Sequence, residues 1–288
     1  MSWRTVVITE RAKLDLRLGY LVIRGEQTKK VHLGEIAVLI IESTAVSLTA
    51  SLISALIEKK VKVIFCDEKR NPQSELLPYY GSHNTSVRIR SQINWDESAE
   101  QNVWTEIVKE KIKKQSMVLE LQSRIEYLRL LEYAAQVQHN DSTNREGHAA
   151  KVYFNALFGK DFTRSGSDPV NAALNYGYSI LLSLFNRIVT AGGYLTQIGI
   201  FHDNMFNCFN LSSDLMEPFR PIIDLAVAGM QLEEFGKEEK KTLLELLSSE
   251  VKIDGKKHHL INAAEVYANS VFNAIESNEV SMIKFYEL

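Results

Sequence analysis

The first eighty residues alternate between short apolar runs and polar or glycine-containing breaks, which is the pattern of β-strands joined by turns. The strand-like runs lie at residues 5–8, 13–18, 20–23, 30–33 and 36–41. A helix is predicted from Ala45 to Lys60, with Ser43 or Thr44 as its cap, and a further strand from Val61 to Phe65. The pattern therefore predicts a small β-rich N-terminal domain over residues 1–72.

The composition changes at residues 71–84, where prolines, tyrosines and a glycine lie close together, and this favours an inter-domain linker over residues 73–94. Beyond it, apolar residues recur at helical spacing, and Asp96 is placed to cap a long helix that reaches about Val137. Further helices are predicted over 146–158, over 171–194, and from 222 to the C-terminus with a break at Asp254-Gly255. We expect an α+β fold of two domains, the larger being an all-α catalytic domain over residues 95–288.

Composition limits the function classes. The chain has 36 Asp and Glu residues against 33 Lys and Arg, and its formal net charge is −3. Such a balance cannot attract nucleic acid by bulk charge, so any DNA contact must use local basic faces, metal ions or a basic partner. Two isolated cysteines, Cys66 and Cys208, predict free thiols. Without an apolar signal core or membrane-spanning stretch, the expected location is the cytoplasm, with no membrane partner.

Ionisable residues interrupt apolar helical surface at three places, and the first is Glu146. It begins a stripe that continues through Ala149, Tyr153 and Leu157, so its side chain is predicted to face inward. A buried carboxylate is costly unless it is paired with a cation or binds a metal ion. The alternative is a first-turn glutamate that the helix dipole stabilises.

The second and third places are His202, after Gly199, and the pair Asp214 and Glu217. A lone histidine beside apolar residues is usually a hydrogen-bonded core residue. Side chains three apart on a helix share a face, with Cβ atoms roughly 5–6 Å apart, which suits two oxygen ligands of one cation. The alternative is a capping box. Arg220 shares that face and could hold a phosphate. Carboxylates with one imidazole suit Mg2+ or Mn2+ better than a structural zinc.

Several motifs in a fixed order resemble those of the CRISPR-associated spacer integrase, the large subunit of the CRISPR adaptation machinery. They are Lys109–Gln115, Arg145–Phe154, Asp168–Tyr178, and Gly199-Ile-Phe-His202 followed by Ser213–Pro221. The similarity covers essentially the whole chain. The segment 77–84 and the short length are similar to members from type II systems, in particular II-A.

This resemblance implies a site and a reaction. The catalytic metal ligands fall on Glu146, His202 and Glu217, with Mg2+ or Mn2+ as the cofactor; some relatives have Asp where this chain has Glu217. Asp214 is implied to lie beside the metal, Arg220 to bind phosphate, and Tyr176 to be an aromatic residue near the active centre. The implied reaction is a transesterification, in which a 3′-OH of a captured DNA fragment attacks the repeat boundary of a CRISPR array.

The resemblance also implies partners. The chain is expected to form a homodimer through its β-rich domain, and a small second adaptation protein is expected to bridge two dimers. A ring-forming DNA-end protein and the effector nuclease are further expected partners in a type II system. Basic residues nominated for contact with DNA are Arg88, Arg90, Lys109, Lys113, Lys256 and Lys257. The alternative for each is a solvated surface charge or a local ion pair, such as Lys114 with Glu110.

Two other functions remain open on the sequence. One is a metal-dependent endonuclease that hydrolyses branched or single-stranded DNA with the same ligands. The other is a non-catalytic helical scaffold in which the acidic pairs only cap helices.

Overall fold

A computed structural model describes residues 4–78 and 84–288. Up to residue 78 the elements are β1 (Arg4–Ile8), β2 (Ala12–Arg17), β3 (Tyr20–Arg24), β4 (Thr28–His32), β5 (Ile36–Ile41), β6 (Val46–Leu48), α1 (Ala50–Glu58), β7 (Lys62–Cys66) and β8 (Pro72–Glu75). From residue 84 they are α2 (Thr85–Ile93), α3 (Glu97–Leu121), α4 (Tyr127–Ala135), α5 (Arg145–Phe158), α6 (Pro169–Ala191), α7 (Asn210–Met216), α8 (Arg220–Ala228), α9 (Lys237–Glu245), β9 (Glu250–Ile253), β10 (Lys256–His259), α10 (Leu260–Ser277) and β11 (Tyr286–Glu287). The fold is α+β, with a β-rich N-terminal region followed by a mainly helical one.

The N-terminal strands form two sheets, with strand orders β1-β5-β7-β8 and β4-β3-β2-β6. Strand β5 lies between two parallel neighbours, β1 and β7, and all six of its residues are buried. Its alternate side chains serve different cores: Leu39 and Ile41 pack in the N-terminal core, whereas Val38 and Ile40 pack among the helices. One sheet therefore contributes to both hydrophobic cores, and the N-terminal region packs directly on the helical region.

Two local predictions in the N-terminal region were wrong. The linker predicted over residues 73–94 contains the end of β8, which pairs with β7, and the whole of α2. Pro72 is tolerated as the first residue of this edge strand because its missing N–H costs no sheet hydrogen bond. Residues 79–83 of the predicted linker lie outside the described residues. The helix predicted from Ala45 begins at Ala50, since residues 46–48 pair with β2 and Thr49 accepts the cap hydrogen bond from Leu52 N.

Helix α3 runs through the centre of the helical region and is buried on most sides. Its predicted cap is confirmed, because Asp96 Oδ1 accepts a hydrogen bond from Ala99 N at 3.0 Å. The helix ends at Leu121 rather than near Val137, in a turn where Ser123 has a φ of 54°. Helices α4, α5, α8 and α10 pack around it, and α3 therefore carries side chains into the middle of this region.

The prediction that residues 95–288 are all-α was also wrong. Strands β9 and β10 form an antiparallel hairpin, and β11 pairs with the other edge of β9. Asp254 and Gly255 form the hairpin turn, with φ values of 52° and 72°. Positive φ at both central residues is what a type I′ hairpin turn requires, and Asp-Gly is a preferred pair there. Within the described residues, no helix is long and apolar enough to cross a membrane.

Candidate functional site

Glu146 is held in the first turn of α5 by two residues that precede the helix. Asp141 accepts hydrogen bonds from Arg145 N at 2.7 Å and Glu146 N at 3.0 Å, and Asn144 accepts one from Gly147 N at 3.1 Å. The N–H groups of the first turn are thus satisfied, so the Glu146 side chain is not needed as a cap. It points toward α3, as the predicted inward stripe requires.

Glu217 lies at the junction of α7 and α8 and is 4% exposed. Residues 216–220 keep helical backbone angles across the junction. Arg220, one turn later, donates a hydrogen bond from Nε to Glu217 Oε1 at 2.9 Å. Its guanidinium also lies over the ring of Tyr178, 4.6 Å from the centroid. Arg220 therefore holds one oxygen of the glutamate in place and leaves the other oxygen to a different partner.

That partner is Lys111 of α3. Its Nζ lies 2.5 Å from Glu146 Oε1 and 2.5 Å from Glu217 Oε2, so one ammonium joins two carboxylates from distant parts of the chain. Burial alone would lower the pKa of Lys111, but the charges of Glu217 and Glu146 raise it above its ordinary value. Burial also opposes ionisation of Glu217, but Arg220 and Lys111 bring its pKa below the ordinary value.

Lys111 lies within the motif Lys109–Gln115, but it was not predicted as a site residue. The sequence does indicate that Lys111 faces inward, because it lies at helical spacing from the core residues Trp104, Val108 and Val118. A lysine at an inward-facing position of a helix needs a buried anion, and two candidate anions had been identified.

His202 is oriented by Asp214, a residue of α7 whose side chain is completely buried. The carboxylate of Asp214 accepts backbone hydrogen bonds from Ile200 N at 2.6 Å and Phe201 N at 3.0 Å, and a longer one from His202 N at 3.3 Å. The His202 ring donates to the same carboxylate through Nδ1. Asp214 is therefore not the N-cap of a capping box, and that alternative was wrong.

The local packing leaves little freedom for the His202 loop. A Cβ at Gly199 would lie 2.7 Å from Asp214 Oδ2 and closer still to the carbonyl oxygen of His202, so only glycine fits there. Phe201 stacks on the buried Trp104 of α3, with ring centroids 4.4 Å apart and planes at 3°. The imidazole of His202 meets the edge of Trp104 at 5.7 Å. These contacts fix the ring while 40% of the His202 side chain stays exposed.

The charges of both glutamates act on His202. Its pKa is raised, first by the hydrogen bond with Asp214 and further by the charges of Asp214, Glu217 and Glu146, against the opposing effect of burial. The pKa of Asp214 is raised by burial, although the hydrogen bonds from His202 and the backbone oppose this. Three separate segments thus contribute to one cluster: Glu146 and Glu217 contact Lys111, and their charges act on His202.

Within the described residues, no group of three or more His, Cys, Asp and Glu side chains is arranged to hold a metal ion. The ammonium of Lys111 lies between the two carboxylates, in the space that a shared cation would need. The donor chemistry nevertheless fits a divalent ion. Glu217 Oε2 is buried and accepts no hydrogen bond, and His202 uses Nδ1 for Asp214, which leaves Nε2 for a ligand. Two carboxylates and an imidazole suit Mg2+ or Mn2+.

Tyr176 does not lie at this cluster. Its ring packs against Phe235 and Lys240, and burial raises the pKa of its hydroxyl, with further contributions from Glu42 and Cys66 near the N-terminal sheet. Two residues further along α6, about half a helical turn away, Tyr178 contacts Arg220 instead. Its hydroxyl and that of Tyr153 both donate to the buried Asp224, the latter at 3.0 Å. The tyrosine that contacts the cluster is therefore Tyr178 and not Tyr176.

The residues nominated for contact with DNA are scattered. Arg88 pairs with Glu276 at 2.6 Å, Lys109 with Glu106 at 2.8 Å, and Lys257 with Glu250 at 3.6 Å. The predicted pair of Lys114 with Glu110 is confirmed. The other three nominated side chains are exposed and form no ion pair among the described residues; they are Arg90, Lys113 and Lys256.

Comparison with known proteins identifies the family. The family described as CRISPR associated protein Cas1 matches residues 5–245. The CRISPR-associated endonuclease Cas1 of Neisseria meningitidis serogroup C (strain 8013) is 34% identical over 295 aligned residues, covering 100% of this chain and 97% of that protein.

Solved structures agree on the fold. A casposase bound to integration product has a TM-score of 0.77 at 20% identity, covering 96% of this chain and 91% of that one. A Cas6-RT-Cas1--Cas2 complex has a TM-score of 0.70 at 18% identity, covering 97% of this chain and 36% of that longer one. The likeness extends over both the β-rich and the helical region, and the sequence similarity spans the full length. The chain belongs to the Cas1 family of CRISPR-associated proteins.

Proposed function

We propose that this protein is a divalent-metal-dependent integrase of CRISPR adaptation, which joins the 3′ end of a captured DNA fragment to the repeat boundary of a CRISPR array. The observation that carries the proposal is the convergence of Glu146 and Glu217 on one cationic position, beside a histidine that a buried carboxylate orients. A structural role alone does not account for a half-exposed histidine held so firmly next to two acids.

Glu146, His202 and Glu217 are proposed to hold one Mg2+ or Mn2+ ion. Such an ion, when bound, lowers the pKa of a hydroxyl and offsets negative charge on a phosphodiester. Asp214 fixes the tautomer of His202, with the proton on Nδ1, so that Nε2 presents its lone pair to the site. Arg220 holds Glu217 on one oxygen, and its partly exposed guanidinium is the candidate contact for a phosphate.

The proposed reaction breaks one phosphodiester bond and forms another. The attacking 3′-OH loses its proton as its oxygen bonds to phosphorus, and the 3′-oxygen of the severed strand leaves and takes up a proton. The two bonds are of the same type, so the exchange needs no nucleotide cofactor. Hydrolysis by water at the same ligands is the second candidate, and the relative from Neisseria meningitidis is named an endonuclease.

We also propose the assembly in which this reaction occurs. Two copies of the chain form a dimer through the β-rich region, and a small second adaptation protein bridges two dimers. The structure named a Cas6-RT-Cas1--Cas2 complex, which this chain resembles in fold, is consistent with such a second subunit. If the type II assignment holds, a ring-forming DNA-end protein and the effector nuclease join the assembly.

The test is a strand-joining assay with a fragment labelled at its 3′ end, a repeat-containing duplex and Mn2+. A joined, longer labelled strand supports transesterification, whereas shortened strands alone support hydrolysis. Glu146→Gln, His202→Ala and Glu217→Gln are each expected to lower joining at least a hundredfold. Glu110→Gln is the matched control, because Glu110 pairs with a buried lysine of the same helix outside the cluster. Joining that survives in any site variant removes that residue from the proposed ligands.

A further inference from the structure

Lys111 is unusual among the charged residues of the site because it already occupies the position of a cation. Its side chain is 10% exposed, and its ammonium lies 2.5 Å from one oxygen of each glutamate. The contact with Glu146 is a hydrogen bond. The contact with Glu217 Oε2 is a close ion pair without hydrogen-bond geometry. Lys111 is therefore held at ion-pair distance from both glutamates.

The charges of Lys111, Arg220 and the two glutamates balance without any added ion. Glu146 and Glu217 contribute two negative charges, and Lys111 and Arg220 contribute two positive ones, all within direct ion-pair contact. A divalent cation that binds between the carboxylates would meet the Lys111 ammonium at the same place. Like charges at that distance repel strongly in a buried site, so both cannot occupy it.

We propose that Lys111 is an internal counter-ion that keeps the two carboxylates together until a divalent cation displaces it, and that the released ammonium then binds the phosphate of the DNA. This inference builds on the proposed metal-dependent function. The lysine side chain has a flexible four-carbon stem, which lets the ammonium move without a shift of helix α3. The displaced charge has to find an anion, and a phosphodiester is the anion that the proposed reaction brings to the site.

The same helix offers a matched control. Lys114 is also almost fully buried, one turn from Lys111, but it pairs with Glu110 and lies 4.3 Å from the centre of the Tyr286 ring. It touches neither glutamate of the site. Loss of either lysine removes a buried charge from α3, but only the loss of Lys111 removes a competitor of the cation.

The experiment measures Mn2+ binding to the full chain by calorimetry for wild type, Lys111→Met, Lys111→Arg and Lys114→Met. Lys111→Met is expected to bind Mn2+ at least tenfold more tightly, because the cation no longer displaces an ammonium. Lys111→Arg is expected to bind at least threefold more weakly, because a guanidinium can donate two parallel N–H groups to a carboxylate and is harder to displace than an ammonium. Lys114→Met should stay within twofold of wild type.

A second measurement follows the released ammonium. In wild type, saturating Mn2+ should tighten the binding of a short duplex, and in Lys111→Met this gain should fall at least fivefold. Unchanged or weaker Mn2+ binding by Lys111→Met overturns the inference. If that variant does not fold, Mn2+ binding by Lys111→Arg equal to wild type overturns it. If wild type shows no Mn2+ binding that Glu217→Gln removes, the proposed metal site fails and the inference fails with it.

Discussion

Asp224 offers the sharpest test of the electrostatics beneath the site. Its side chain is buried, and it accepts hydrogen bonds from the hydroxyls of Tyr153 and Tyr178. Burial raises its pKa from 3.8 to about 6, although the two tyrosine hydrogen bonds and the charges of Arg220 and Lys111 act in the opposite direction. The change to examine is Asp224→Asn, which keeps the shape of the side chain and removes its titration.

The sign follows from proton binding. Between about pH 4 and pH 6 the folded chain holds a proton on Asp224 that the unfolded chain has released, so protonation favours the folded state. This contribution is fully present below the unfolded pKa and is lost as the pH rises through about 6. The difference between 3.8 and about 6 corresponds to about 3 kcal/mol of unfolding free energy.

The assay is urea unfolding followed by circular dichroism at pH 4, 5, 6 and 7.5, for wild type and Asp224→Asn. Groups common to both proteins cancel in the difference, so wild type should gain about 2.5 kcal/mol relative to the variant between pH 7.5 and pH 4, since the unfolded carboxyl is not yet fully protonated at pH 4. The exposed Asp203→Asn is the control, because it removes one carboxylate from the surface. A difference for Asp224→Asn that varies by less than about 0.5 kcal/mol over this range would refute the assignment of a raised pKa.

Three further outcomes are expected. Asp214→Asn should lower the unfolding free energy by at least about 2 kcal/mol, because three backbone N–H groups share that carboxylate. Those N–H groups should also exchange faster in the variant, so unchanged deuterium exchange at residues 200–202 would contradict this. Light scattering of the isolated chain at micromolar concentration should give a dimer, and a monomer would count against association through the β-rich region. Binding of duplex DNA by the isolated chain should be weak with a shallow salt dependence, and adding the small second adaptation protein should steepen it; steep dependence without that protein would reveal an overlooked basic face.

Features that depend on neighbouring residues were predictable from the sequence. The cap at Asp96, the start of α5 and the inward direction of Glu146 follow from side-chain spacing and from residues within one turn. The strand runs of the N-terminal region follow from alternation over a few positions. A break at Asp254-Gly255 was also predicted, but as an interruption of a helix. Two strands of four residues are too short to show a periodicity that distinguishes a hairpin from a broken helix.

Features that depend on tertiary packing were not predictable. The choice between Tyr176 and Tyr178 depends on how α6 is rotated against α8, and two tyrosines two residues apart do not reveal it. The role of Asp214 depends on the loop before α7, whose backbone N–H groups fold back to donate hydrogen bonds to the Asp214 carboxylate. Spacing of three residues from Glu217 suggested a shared ligand face or a cap, and neither describes Asp214 in the structure.

The proposed active site contains several carboxylates and would have to bind a phosphodiester, and the charges of this cluster bear on how it could. With Lys111 and Arg220 in contact with the glutamates, these four charges cancel, so the glutamates do not present bare negative charge to an approaching phosphate. A divalent cation at the proposed ligands would add two positive charges, and the phosphate would then be attracted. Cation and DNA should therefore strengthen each other's binding, and this coupling is reciprocal by thermodynamic necessity. A chain with net charge −3 can act on DNA in this way without a broad basic surface at its catalytic centre.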